Sequence, residues 1–276
     1  MRIAHIILVD RNPIQIVRLV RRIYHRNADI FIHIDRSCPV SEYAEVIQFK
    51  NVRRVASGRD LGVTGFDRVE AMLDSMQSVM ESDKEYDYVH FMSGEDYPLQ
   101  TPDRFFEYLE EHGEVEFMIT QPAGEPAAAR TQAPVERTLW QRFFHLISAG
   151  GKIPDGFMIR TGPQEMTLTS LAVLYILKFV SDNPGLVRYF RRLDRPGECF
   201  FQTILYNSPF RTRMSNELFH YAEEAGNDTV PATLTIKDKD KLLASGRFFA
   251  RKFDIAVDAA ILDVLDNRML SYSLIK

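Results

Sequence analysis

Short apolar runs rich in branched side chains alternate with segments of helical periodicity through the first half of the chain. The first run (residues 3–9, IAHIILV) precedes a segment at residues 14–23 whose apolar positions recur every three or four residues, which predicts an amphipathic helix. Further runs at residues 30–35, 52–55 and 88–92 predict three more strands. This alternation is typical of an α/β fold in which helices flank a mostly parallel sheet.

After the fourth strand the chain continues with a helix, a strand and a loop, and beyond residue 134 its periodicity turns helical. Thr101 is a favourable N-cap before a proline, so we expect a helix that ends near Glu111, followed by a strand at residues 116–120. Residues 121–134 are rich in Pro, Ala, Gly and Gln and predict a surface loop. Further helices are predicted at residues 135–147, 169–180, 186–193 and 198–206. No composition shift marks a linker, so residues 1–276 are predicted to form a single domain.

The charge balance limits the partners. Lys plus Arg number 34 against 38 Asp plus Glu, a net charge of −4, which argues against a nucleic-acid partner bound through a broad basic surface. Four arginines of the first helix, at positions 18, 21, 22 and 26, lie opposite its apolar face. We interpret them as a solvated face, with peripheral contact to a membrane surface as the alternative.

Hydropathy and cysteine content predict a compartment. The apolar run at the N-terminus meets Asp10 before it is long enough for a secretory signal, and no run approaches the length of a transmembrane span. The chain has two cysteines, Cys38 and Cys199, too few and too distant for a disulfide framework or a zinc site. We therefore expect a cytoplasmic protein.

Two segments carry candidate chemistry. Residues 249–254 (FARKFD) place adjacent cations between aromatic residues, and residues 196–203 (PGECFFQT) place an acid at the start of an apolar helical turn. Paired cations can hold the phosphates of a leaving nucleotide, and a carboxylate can accept the proton of an attacking hydroxyl. Each feature alone is more often a solvated surface or a helix-dipole contact, but together they suggest group transfer from a nucleotide-linked donor.

Polar residues also follow two predicted strands at their carboxyl ends. Asp35 ends the second strand, and residues 93–98 (SGEDYP) follow the fourth. Open α/β sheets bind ligands beyond the carboxyl ends of their strands, so these positions are expected near a nucleotide. For Asp35, capping of a local turn is an equal alternative, and Asp96 has the same alternative.

The order of these segments resembles the core-2/I-branching β-1,6-N-acetylglucosaminyltransferase family, which includes peptide O-xylosyltransferases. Six segments carry the resemblance: RNP (11–13), IHID (32–35), SGEDYPL (93–99), PGECFFQT (196–203), NSPF (207–210) and FARKFD (249–254). The resemblance implies a GT-A type fold with a Rossmann-like sheet, a UDP-sugar donor, and inverting transfer to an acceptor hydroxyl.

The resemblance also assigns roles to residues. Glu198 matches the catalytic base of the family, and Lys252 matches the cation that contacts the donor diphosphate, with Arg251 or Arg247 assisting. The remaining donor contacts are predicted at Asn12, Asp35, Gly94 and Asp96, and the acceptor contacts at Glu95, Glu136 and Arg137.

No metal or other cofactor is expected. The resemblance points to the metal-independent branch of GT-A enzymes. The chain does contain an Asp-x-Asp pair, Asp238 and Asp240, but lysines surround it and Thr235 precedes it as a candidate helix cap. We interpret this pair as a solvated helix start.

The chain departs from the family at two places. Asp10 and Arg11 stand where the first strand commonly ends in a histidine, which affects the nucleotide contacts. Residues 162–166 (GPQEM) replace a Gly-Ser-Gln-Trp-Trp run of many bacterial relatives, which removes two aromatic rings that could stack on a sugar. The acceptor therefore cannot be carried over from the family.

Three hypotheses follow. The first is a bacterial glycosyltransferase that moves N-acetylglucosamine from UDP-GlcNAc to a hydroxyl of a glycan or lipid-linked saccharide. The second, within the same class, is a UDP-xylose-dependent xylosyltransferase. The third is a catalytically weak nucleotide-sugar binding partner in a polysaccharide assembly complex.

Overall fold

The computed structural model describes residues 1–62, 65–123, 156–193, 195–223 and 231–273. The strands in these ranges are β1 (Ile3–Val9), β2 (Ala28–Ile34), β3 (Val52–Arg54), β4 (Tyr88–Ser93), β5 (Tyr97–Pro98), β6 (Glu116–Phe117), β7 (Gln121–Pro122), β8 (Arg160–Thr161), β9 (Thr167–Thr169), β10 (Met214–Ser215), β11 (His220–Ala222) and β12 (Phe249–Arg251). The α-helices are α1 (Pro13–Arg22), α2 (Ala44–Ile47), α3 (Asp67–Met80), α4 (Pro102–Glu111), α5 (Ser170–Asp182), α6 (Pro184–Phe190), α7 (Phe200–Tyr206), α8 (Lys239–Ala244) and α9 (Ala260–Ser273). Short 3-10 helices lie at Val40–Tyr43, Pro196–Glu198, Pro209–Arg213 and Ile236–Asp238.

A seven-stranded sheet forms the centre of the fold, in the order β10-β6-β9-β4-β1-β2-β3. Strand β1 pairs in parallel with β2 and β4, and β2 pairs in parallel with β3. The predicted fold class, an α/β fold with helices around a mostly parallel sheet, is confirmed. A smaller sheet, in the order β11-β12-β5, lies beside it. That residues 1–276 form a single domain stays a prediction.

Both faces of β1 are covered, since all seven of its residues are buried. Ile7 packs in one hydrophobic core with Ile16 of α1, whereas Ile6 packs in a second core with Val69 of α3. Continuous apolar runs are characteristic of parallel strands buried on both faces, which is why the sequence predicted this strand.

Three of the predicted boundaries between residues 116 and 206 differ from the structure. The helix expected at residues 169–180 begins at Ser170, and it is preceded by β9, which runs antiparallel between β4 and β6. The strand expected at residues 116–120 covers Glu116–Phe117 alone. The helix expected at residues 198–206 divides into a 3-10 turn at Pro196–Glu198 and helix α7. Strands of two or three residues are too short to show the alternation of apolar and polar positions by which a strand is predicted.

The arginine face of α1 is largely turned towards acids of α9. Arg18 Nε and Arg22 Nε both lie 2.7 Å from carboxylate oxygens of Asp266. Arg21 pairs with Glu45 at 3.0 Å on the exposed surface. The interpretation of all four arginines as a solvated face is therefore wrong for Arg18 and Arg22. In the described ranges, no helix combines the length and the apolar character needed to cross a bilayer.

Candidate active site

Gln15 of α1 is a buried amide that joins three segments of the chain. Its Nε2 donates to the carbonyl oxygens of Gly94 (2.8 Å) and Phe253 (3.1 Å), and its Oε1 accepts from the N–H of Ile255 (2.8 Å). The N–H of Phe253 also donates to the carbonyl oxygen of Glu95 (2.8 Å). These bonds fix the cationic end of β12 beside the carboxyl ends of β1 and β4, the edge at which α/β sheets bind ligands.

Glu95 lies between two cations. Its Oε1 is 3.5 Å from Arg11 Nη1 and 3.6 Å from Lys252 Nζ, and the side chain is 15% exposed. The same Oε1 is buried without a hydrogen-bond partner. Both contacts are ion pairs beyond hydrogen-bond length, so the ammonium of Lys252 retains capacity to bind an anion. Glu95 was predicted to contact the acceptor, and the structure places it among the predicted donor residues.

Arg251 is held more tightly than Lys252. Its Nε lies 3.3 Å from Asp96 Oδ1, and its Nη1 contacts Glu165 Oε1. Asp96 is fully buried: its Oδ2 accepts from the N–H of Ser93 at 2.6 Å and lies 3.7 Å from His220 Nε2. Asp96 therefore stabilises the turn after β4 and orients Arg251. Its predicted direct contact with the donor stays a prediction.

Glu198 ends the 3-10 turn at Pro196–Glu198, with its side chain 30% exposed. Its Oε1 accepts from Arg195 Nη1 at 2.9 Å. Its carbonyl oxygen accepts from the N–H of Gly162 at 2.8 Å. The carboxylate is therefore accessible to solvent and fixed in direction, as a general base must be.

Residues 162–165 lie between this turn and the cations. A Cβ on Gly197 would come within 2.3 Å of Gln164 Nε2, so the glycine allows the turn to pack closely against Gln164. Gln164 Oε1 in turn accepts from Arg68 Nε at 2.6 Å. Burial, together with the neighbouring charge of Arg251, lowers the pKa of Arg68. The segment thus links the acid predicted as base to the cations predicted to hold the diphosphate.

Comparison with known proteins identifies the family. A family model described as the core-2/I-branching enzyme matches residues 3–241. The chain belongs to the core-2/I-branching enzyme family. The match confirms the family that the sequence resembles, and it includes five of the six segments; the segment at residues 249–254 lies beyond the matched range.

Curated relatives of this branching-enzyme chain include xylosyltransferases. Xylosyltransferase 1 of Rattus norvegicus is 27% identical over 296 residues, covering 96% of this chain and 35% of the relative. Xylosyltransferase 2 of Canis lupus familiaris is 27% identical over 297 residues, covering 96% of this chain and 33% of the relative. The chain thus spans about a third of the length of these relatives.

Among solved structures, the chain is similar to a putative glucose-1-phosphate thymidylyltransferase from Bacillus anthracis. The two are 12% identical with a TM-score of 0.41, over 89% of this chain and 95% of the other. A likeness this low bears on neither fold nor function.

Two predicted donor residues of the branching-enzyme motifs make internal contacts. Asn12 has a left-handed backbone (φ 52°), and its Nδ2 donates to Asp254 Oδ1 at 2.9 Å. A Cβ on Gly94 would come within 2.6 Å of Ile16 Cδ1, so this position favours glycine for close packing against α1. These contacts explain both residue types without a ligand, and their donor contacts stay predictions.

Asp35 also has internal partners for both carboxylate oxygens. Its Oδ1 accepts from the N–H and the hydroxyl of Ser37 at 2.7 and 2.6 Å, and its Oδ2 accepts from the N–H of Leu61. Burial acts to raise the pKa of Asp35, but the hydrogen bonds from Ser37 and Leu61 outweigh it and lower the pKa. The geometry agrees with the turn-capping alternative, and contact with a nucleotide stays a prediction.

Sequence reasoning missed Gln15, Arg68, Gln164 and Glu165. Glu165 was noted as the loss of an aromatic residue, yet its carboxylate pairs with Arg251. A polar residue between Ile14 and Ile16 at the start of an amphipathic helix was the available signal for Gln15. For Arg68 and Gln164 there was no such signal, because their contact joins positions 96 residues apart.

The remaining predictions concern the acceptor residues and the Asp-x-Asp pair. Glu136 and Arg137, the remaining predicted acceptor residues, lie outside the described residues. Asp238 forms a capping box with Thr235, accepting from its N–H at 2.8 Å, which is typical of a helix start. Metal independence of the enzyme stays a prediction.

Proposed function

We propose that this chain is an inverting, metal-independent glycosyltransferase that moves a sugar from a UDP-sugar to a hydroxyl of a glycan acceptor. One observation carries the proposal. The segment 162–165 contacts both the turn that bears Glu198, through Gly162, and the cation Arg251, through Glu165. A base and a diphosphate-binding cation, held by one segment, are the two elements that single displacement requires.

The proposed reaction needs one base. The Glu198 carboxylate accepts the proton of the acceptor hydroxyl while the hydroxyl oxygen forms a bond to the anomeric carbon of the donor. The bond from that carbon to the diphosphate oxygen breaks at the same time, and UDP leaves with the electron pair. A single displacement from the opposite face inverts the anomeric configuration.

Charge that develops on the departing diphosphate needs stabilisation. Lys252 is the cation with the weaker internal pairing, at 3.6 Å from Glu95, and we assign it the diphosphate contact. Arg251 is engaged by Asp96 and Glu165, so its main contribution is to hold Lys252 and the end of β12 in position. Fixed cations take the role that a divalent metal has in other transferases.

GlcNAc is the donor sugar that we propose first, since the matched family is that of core-2/I-branching enzymes. Xylose is the second candidate, supported by the xylosyltransferases among the relatives. The proposed acceptor is a glycan or a lipid-linked saccharide, and the proposed location is the cytoplasm, with peripheral contact to the inner face of a bacterial membrane through exposed arginines such as Arg21.

A thermal-shift titration tests the donor proposal. UDP, UDP-GlcNAc, UDP-xylose, UDP-glucose and GDP-mannose are compared, each with EDTA and with Mn²⁺, because a ligand that binds the folded state raises the melting temperature. We expect a uridine-dependent shift that survives EDTA, and the sugar that gives the largest shift names the donor. No shift with any uridine nucleotide would overturn the proposal.

Proton NMR of the product then tests the stereochemistry. The α-linked donor should give a β-linked product if the displacement is single. Uridine-dependent binding without release of UDP from any donor would favour the alternative, a nucleotide-sugar binding partner without transferase activity.

A further inference from the structure

Two guanidinium groups lie over the ring of Tyr206. The Cζ of Arg160 is 3.6 Å from the ring centroid, and the Cζ of Arg211 is 4.3 Å from it. Each contact is within the range of a cation–π interaction. Because both guanidinium groups contact one ring, their Cζ atoms lie within about 8 Å of each other. We call these three residues the Tyr206 clamp.

The backbone around the Tyr206 clamp is fixed by polar contacts. Thr203 Oγ1 accepts from the N–H of Arg160 at 3.0 Å and lies 3.2 Å from its carbonyl oxygen. Asn207 accepts from the N–H of Met158 through Oδ1 (3.0 Å) and donates to its carbonyl oxygen through Nδ2 (2.8 Å). Strand β8 is thereby attached to helix α7, which places the backbone of Arg160 beside the helix that carries Tyr206.

The charges of the clamp have no carboxylate partner among the described residues: no acid in those ranges lies within ion-pair distance of Arg160 or Arg211. Arg160 Nε is also buried without a hydrogen-bond acceptor. Nearby Arg213, by contrast, lies 3.8 Å from Glu114 and 3.7 Å from Glu116. A buried donor without an acceptor is unfavourable, and so are two like charges held by one ring; an anion that binds there relieves both.

Two short connections link the Tyr206 clamp to the turn that bears the proposed base. Arg160 precedes Gly162 by two residues, and the N–H of Gly162 donates to the carbonyl oxygen of Glu198 at 2.8 Å. Helix α7 begins at Phe200, two residues after Glu198, and ends at Tyr206. At about 1.5 Å per residue, α7 is about 10 Å long, and the base and the clamp lie at its opposite ends.

We propose that Arg160, Tyr206 and Arg211 form a subsite for an acidic group, a carboxylate or a phosphate, on the acceptor saccharide. Guanidinium groups match the geometry of both oxyanions, and the tyrosine ring keeps them in position. The subsite rests on the proposed function, because it takes Glu198 as the point at which the acceptor hydroxyl binds. It narrows the acceptor from any glycan to an acidic one.

Isothermal titration calorimetry tests the subsite directly. Trigalacturonate supplies carboxylates, methyl phosphate supplies a phosphate, and galactotriose is the neutral control. We expect at least one acidic probe to bind the wild-type chain and galactotriose to bind much more weakly. Whichever acid binds more tightly identifies the group. R160Q and R211Q should each weaken the binding of that acid at least tenfold. R188Q, at an exposed arginine of α6, should leave the affinity for the acid unchanged.

The UDP thermal shift, measured on the same variants, separates this inference from the proposed function. R160Q and R211Q should keep the wild-type shift, which also shows that they fold. Binding of the acid by both variants at wild-type affinity, or failure of both acids to bind the wild-type chain, would overturn the subsite. Loss of acid binding in the variants, together with no UDP shift in wild type, would leave an anion site and overturn the transferase proposal.

Discussion

Asp96 and Arg251 form a buried ion pair, with Oδ1 and Nε 3.3 Å apart and the carboxylate fully buried. Both residues were predicted from the sequence to bind the donor, and they contact each other. The pair joins the turn after β4 to β12, which are separated by about 150 residues in the sequence. The position of the cationic segment therefore depends on the buried charge of Asp96.

Replacing Arg251 should destabilise the fold. R251Q leaves the buried carboxylates of Asp96 and Glu165 without their cation, and such a change typically costs about 3 kcal/mol. Urea unfolding measures this loss in the free energy of unfolding. The matched control is R21Q, which breaks the exposed pair with Glu45, and it should cost no more than about 0.5 kcal/mol. Equal losses in the two variants would contradict the structural role of Arg251.

Replacing Glu198 should remove catalysis while leaving donor binding. E198Q keeps the shape of the side chain but cannot accept a proton, so turnover should fall about 10²- to 10⁴-fold with the UDP thermal shift retained. E45Q, at an exposed acid of α2, is the control and should keep full turnover. Near-normal turnover in E198Q would mean that another group is the base.

Adding one methyl group at Gly162 should displace the Glu198 turn from the segment that contacts Arg251. Its Cβ would lie 2.1 Å from the backbone oxygen of Ile119, so the segment must move and its bond to Glu198 must break. Misplacement of a catalytic group by about 1 Å can cost about 10²-fold in rate, which we expect for G162A. G58A is the control, because no atom lies within 4 Å of a Cβ at that position. Full activity in G162A would show that the segment does not position Glu198.

Buried histidines should make the fold sensitive to mild acid. Burial, aided by His25, lowers the pKa of His5 to about 3, and burial lowers the pKa of His90 and His220. The unfolded chain binds these protons below pH 6.5 and the folded chain does not, so stability falls as pH drops through this range. Each histidine contributes up to about 1.4 kcal/mol per pH unit.

Urea unfolding between pH 7 and pH 5 measures this slope. H5L should reduce the slope by about 1.4 kcal/mol per pH unit near pH 5, since one titrating group is removed. The slope should persist in 0.5 M salt, because burial rather than surface charge causes it. A slope in H5L equal to that of wild type would mean that His5 binds its proton in the folded chain.

Local pattern was enough to predict the strands of the central parallel sheet. The run at residues 3–9 is apolar throughout because both faces of β1 are buried, and this property is visible without a partner strand. Strand β9 escaped prediction, since its three residues pair with distant β4 and β6 and have no period of their own. The same limit applies to the turn at Pro196–Glu198, where proline and glycine divide what the apolar pattern suggested was one helix.

The sequence by itself determined the α/β class, the family, and the identity of the acid and cations proposed for transfer, since each depends on residue types at short spacing. The tertiary structure decided which of these side chains meet. Glu95 pairs with Lys252, Asp96 with Arg251, and Glu165 completes the second pair from a segment noted only for missing aromatics. Contacts of this kind depend on long-range packing of strand ends, so they cannot be predicted from residue spacing along the chain.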